Sequence, residues 1–92
     1  MENQTFSLID GTFSNQEAKE ILMNLYSNKI NFHERKNFSS NECFGKDDLV
    51  AIKRIPQLKE ALKAIIELVK AAEGHNKNFV IKSTVSITIS NP

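Results

Sequence analysis

The stretch IKRIPQLKEALKAIIELVKAAEGHNKNFVIKSTVSITI, residues 52–89, changes its hydrophobic period half-way, and that change decides the fold class. Over residues 52–72 the apolar positions Ile52, Ile55, Leu58, Leu62, Ile65, Ile66, Val69 and Ala72 recur every three or four residues. At about 100° per residue they fill one broad arc of an amphipathic helix. Pro56 lies inside the pattern. Either the helix begins there, with proline in its first turn, or an earlier turn starting from Asp48 is kinked at it. Gly74 ends the helix, and residues 74–78 read as a loop. From residue 79 the period is two. Phe79, Ile81, Val85, Ile87 and Ile89 face one side, and Val80, Lys82, Thr84, Ser86 and Thr88 the other, as in a strand with one buried face.

Working towards the N-terminus, Ser39 has Glu42 three residues on and Gly45 beyond it. This spacing predicts one capped helical turn, with Asp47 or Asp48 capping the helix that follows. Residues 29–38 read two ways: Ile30 and Phe32 alternate as in a strand, while Leu25, Lys29, Phe32 and Lys36 fall near one line of an extended first helix. Asn28 and Asn31 disfavour helix, so a short extended segment is the expectation and a helix extension the alternative. Ser14 with Glu17 is a capping box, and Phe13 can staple onto Ala18. Ala18, Ile21, Leu22 and Leu25 continue at helical spacing, which places a helix over residues 15–28. Residues 5–9 are expected to form a short strand, with Phe6 and Leu8 on one side, Ser7 and Ile9 on the other, and Asp10-Gly11 as its turn. The expected architecture is an α+β domain spanning residues 1–92. Two antiparallel helices pack on one face of a small, mainly antiparallel sheet, in the order β-α-(β)-α-β.

Composition narrows the function classes. With 40% hydrophobic and 25% charged residues, the chain is of ordinary globular type rather than disordered. Residues 1–50 hold five Lys/Arg and eight Asp/Glu, and residues 51–92 hold seven and three, a mild polarity around a net charge of +1. The basic second half is the basis of one alternative, a nucleic-acid-binding accessory, although such proteins usually carry a stronger basic excess. Lys59, Lys63 and Lys70 align on one helix side, but Glu60, Glu67 and Glu73 lie beside them, as on a solvated face laced with opposite charges. The lone Cys43 allows no internal disulfide, MENQTFSLID has no signal-peptide character, and no apolar run approaches the roughly 20 residues of a membrane span. A cytoplasmic protein with no membrane association is expected.

Reactive side chains gather in residues 33–48. His33, Glu34, Arg35, Ser40, Cys43 and Lys46 are the candidate functional residues, and a ligand binder or enzyme built on them is the second alternative. Cys43 with His33 as base needs hydrogen-bond reach between them. A metal site drawn from His33, Glu42, Cys43, Asp47 and His75 matches no ligand spacing motif. Gly45-Lys46 fails as a phosphate loop, because Ser40 stands where its first glycine belongs and Asp47 where Ser or Thr follows the lysine. No cofactor and no catalytic residue is expected.

The segment INFHERKNFSSNECFGKDD, residues 30–48, with IDGTFS at residues 9–14, resembles small uncharacterised bacterial proteins. The resemblance covers most of the chain and implies no activity and no site. The leading expectation is therefore a small protein–protein interaction module. It is expected to be a homodimer, because the strand at residues 79–89 is longer than a five-residue strand can pair and an uncovered edge invites association.

Overall fold

The structure, a computed structural model, describes residues 2–92. It is α+β, in the order β1 (Asn3–Phe13), α1 (Asn15–Phe44), α2 (Leu49–Ala71) and β2 (Phe79–Thr88). The two helices form a hairpin, and the two strands form an antiparallel ribbon.

Helix α1 begins where the sequence places it. Ser14 is extended (φ −67°, ψ 166°), its Oγ accepts from the Glu17 amide at 3.2 Å, and the Ser14 amide donates to Glu17 Oε1 at 2.9 Å. Both halves of the capping box are made. The expected end at residue 28 is wrong, because the helix runs unbroken to Phe44. Residues 29–38 are helical rather than extended, and they supply no third strand. The turn expected after Ser39 is the last part of the same helix. Gly45 does end it, at φ +67°, a left-handed conformation that glycine adopts without a side-chain clash, with its amide on the Asn41 carbonyl at 2.9 Å.

The reason α1 continues is a stripe of residues spaced three or four apart. Ala18, Leu22, Tyr26, Ile30, His33, Asn37 and Ser40 are all buried or half-buried. The asparagines that weaken local helix propensity are overruled by packing against α2, which is the usual source of helix stability in proteins.

Helix α2 carries the matching stripe Ala51, Ile55, Leu58, Leu62, Ile65, Val69 and Ala72, at strict four-three spacing. That is the seam of an antiparallel helix pair. Ala51, Leu58 and Val69 are buried, whereas Leu62 and Ile65, members of the apolar arc read from the sequence, are only half-buried. Asp48 caps the helix, accepting from the Ala51 amide at 2.9 Å. Pro56 lies inside α2 at an exposed position, so the hydrogen bond it denies to the preceding turn is lost on the solvent side. Asn15 Nδ2 donates to the Val69 carbonyl at 2.9 Å and ties the start of α1 to the end of α2.

Strand β1 is eleven residues, not five, and pairs with β2 from Asn3↔Thr88 to Phe13↔Phe79. Asp10-Gly11 is not a turn. Gly11 opposes Ile81, and a Cβ built on it would lie 3.3 Å from the Phe13 ring, which occupies the space a side chain would fill. A register shift between Ser7 and Ile9 inserts one extra residue into β1. Such a bulge resets the alternation. Phe6 opposes Val85 and Ile9 opposes Ser83, so Phe6 and Ile9 share a face, contrary to simple alternation.

One face of the ribbon thus carries Phe13, Gly11, Ile9 and Phe6 on β1, with Phe79, Ile81, Ser83, Val85 and Ile87 on β2. Its half nearest the helices is partly covered, at Ile9, Phe13, Phe79, Ile81 and Ser83. α1 is the only helix whose backbone comes within 8 Å of the strands. The far half, residues 3–8 and 84–88, is exposed throughout.

Candidate functional site

The candidate residues sit at the closed end of the helical hairpin, opposite the ribbon's attachment. Asn37 and Ser40 are the last members of the α1 stripe, and here the stripe turns from apolar to polar. Each polar side chain grips the connection. Asn37 Oδ1 accepts from the Asp48 amide at 2.8 Å, and Ser40 Oγ donates to the Lys46 carbonyl at 2.8 Å. Asn41 Nδ2 donates to Asp47 Oδ1 at 2.9 Å and to the Asn37 carbonyl at 3.0 Å. Residues 45–48 are thereby clamped onto α1 before α2 begins. Sequence reasoning missed Asn37 and Asn41. Their i, i+4 spacing ahead of a Gly-Lys-Asp-Asp turn was the available signal.

The remaining candidates diverge. His33 is buried, 7% exposed, on the stripe, with Phe32 edge-on to its ring at 5.3 Å between centroids. Cys43 is exposed. Ten residues of continuous helix separate the two by about 15 Å along the axis, so His33 cannot act as a base for the Cys43 thiol. Glu34, Arg35 and Lys46 are exposed. Ser40 is spoken for by the turn. Among the described residues no three His, Cys, Asp or Glu side chains come together as metal ligands.

A groove of about 510 Å³, open to solvent, runs over Phe32, Arg35, Lys36, Cys43, Phe44 and Asp48. Ligand sites of that volume usually enclose most of their ligand and aim a few polar groups at it. This one is open to solvent, and its Asp48 carboxylate is already engaged in capping α2. Phe32 is flanked by the ammonium groups of Lys29 and Lys36, 5.2 and 5.8 Å from its ring centroid, which shelter an exposed aromatic by cation–π contact.

The one resolved titration shift lies elsewhere. The Ser14 amide and hydroxyl beside Glu17 hold its carboxyl below the usual carboxylate range. That is the chemistry of a helix cap rather than of catalysis. No helix among the described residues is long and apolar enough to cross a membrane. Comparison with protein-family models, with curated proteins and with solved structures finds no match.

The most unusual surface is apolar. Phe6, Leu8 and Ile87 are each about half exposed on the far ribbon, and Leu25, Phe32 and Leu68 are exposed on the helices. Among the described residues no large side chain is fully buried.

Proposed function

We propose that this protein is a non-enzymatic protein–protein interaction module whose working form is a homodimer. The observation that carries this reading is its surface area. One chain exposes 7315 Å², against roughly 5,400 Å² for a compact protein of 10.4 kDa. The excess is about 1,900 Å² on that scaling, enough for each of two chains to contribute to an obligate-sized interface. The premise that β2 lacks a partner of its own length does not support the reading, since β1 pairs along it. What supports it instead is the uncovered face and the two outer edges that a two-stranded ribbon leaves open. The single cysteine, Cys43, fits a reducing, cytoplasmic setting.

Size-exclusion chromatography coupled to light scattering, over a dilution series, tests the proposal. A mass of twice 10.4 kDa that falls only at high dilution is the expected result. A monomer mass at every concentration would overturn it.

A further inference from the structure

One face of the ribbon is half-buried only in the part nearest the helices. Beyond Ile9 and Ser83 it continues through Phe6, Val85 and Ile87, which are 50%, 37% and 50% exposed. This far half is a two-stranded arm about 20 Å long, at some 3.3 Å per residue over residues 3–8. It is also locally ordered. Asn3 Oδ1 accepts from both Ser86 Oγ (3.1 Å) and Thr88 Oγ1 (3.2 Å), and the Ile89 amide donates to the Glu2 carbonyl at 3.2 Å. Residues 3–8 and 84–88, NQTFSL and TVSIT, contain no charged residue. A lone two-stranded ribbon is marginal in water, so an arm kept this regular and uncharged needs something to lie against.

We infer that the occupant is a second copy of this chain. The arm of each protomer lays Phe6, Val85 and Ile87 onto the apolar helical surface of the other, in a reciprocal clasp. This rests on the homodimer proposed above and assigns its contact surface. Two observations select the arrangement. The helices expose the counterpart, Leu25, Phe32 and Leu68, with a small concavity of about 210 Å³ bounded by Leu25, Tyr26, Lys29 and Leu58. Edge-to-edge joining of ribbons would leave both apolar surfaces in water, whereas arm on helix, repeated by a two-fold axis, covers both with one kind of contact.

The test uses the full chain. The doubly substituted Phe6→Ser, Ile87→Ser protein is compared with the natural one by light scattering over a dilution series, with helical circular dichroism as the check on folding. The expected result is a dimer dissociation constant raised by roughly 100-fold or more, as for the loss of two central apolar anchors. A natural chain that is monomeric throughout overturns both this inference and the homodimer. A natural dimer whose variant dissociates no more readily overturns the clasp alone. Because the variant can fail to fold, the natural dimer is also mixed from isotope-labelled and unlabelled chains, and filtered nuclear Overhauser contacts are recorded. Contacts from the Phe6 ring and Ile87 methyls of one chain to Leu25 or Leu68 of the other support the clasp. Contacts confined to arm against arm, or none from the arm, overturn it.

Discussion

At Ser14 the sequence and the structure agree because the interaction is closed within four residues. A capping box needs only its own two side chains and amides, so nothing distant can override it. Ser14→Ala should cost about 1 kcal/mol of stability, measured by equilibrium denaturation. Glu17 adds a pH dependence whose sign follows from its lowered pKa. The folded carboxyl holds its proton less tightly than the unfolded one. Its contribution is therefore complete above the unfolded carboxylate range and is lost as pH falls through the lower, folded value. Melting temperature should fall less steeply on acidification in Glu17→Gln than in the natural chain. Parallel acid profiles would show that the cap carries no such linkage. Gly11 teaches the opposite lesson. Beside Asp10 it reads as a turn, yet it sits in the middle of β1 because the Phe13 ring, two residues away, needs the space. That requirement concerns a side chain's path over the sheet, which no dipeptide signal records.

At the scale of elements, legibility followed the stripe. The seam of α2 is apolar along its whole length and was read from its period from Ile55 onward, with Asp48 correctly among the possible caps. At its start Ala51 holds the buried position and Ile52, read into the arc, is exposed. The stripe of α1 is apolar only as far as Ile30. Beyond it His33, Asn37 and Ser40 hold the same inward positions, Asn37 and Ser40 bonding the turn, and a hydrophobic period cannot follow a stripe that has become polar. Among the candidate functional residues the side chain of Ser40 bonds the turn and His33 lies on the inward stripe, whereas Glu34, Arg35, Cys43 and Lys46 are exposed. Ser39 separates the two accounts. As the cap of a separate turn its replacement by alanine would cost about 1 kcal/mol. As an exposed residue inside α1, Ser39→Ala should be neutral or stabilise by a few tenths of a kcal/mol, since alanine is the better helix former. Denaturant midpoints of the two proteins decide it. The bulge in β1 was illegible on similar grounds, because it is defined by register with β2, some 75 residues away, rather than by any local pattern.

At the scale of the whole molecule, one chain is extended for its length. Its Cα radius of gyration is 16.6 Å, against about 12 Å for a compact chain of 92 residues, and it measures 51 × 33 × 15 Å. The seam between the helices buries Ala51, Leu58 and Val69 but leaves Leu62 and Ile65 half in water, so residues that suit a core do not find a complete one. If two such chains associate as proposed, the stability of a dimer that must dissociate to unfold depends on concentration by mass action. Each tenfold increase in protein is then worth about 1.4 kcal/mol. For a folding unit of two such chains that raises the melting temperature by roughly 3–5 °C. Calorimetric scans over a hundredfold concentration range should therefore show a midpoint that climbs by twice that step. A monomer that folds alone melts at one temperature throughout, and that result would place the exposed Phe6, Val85 and Ile87 outside the energetics of folding. In such a dimer, Val69→Ala should lower the midpoint at every concentration while leaving the concentration dependence in place, because Val69 is buried in the intramolecular seam, away from the concavity assigned to the clasp. Phe6→Ser should do the reverse, flattening the dependence first. Those different responses separate the contact that folds the chain from the contact that joins two of them.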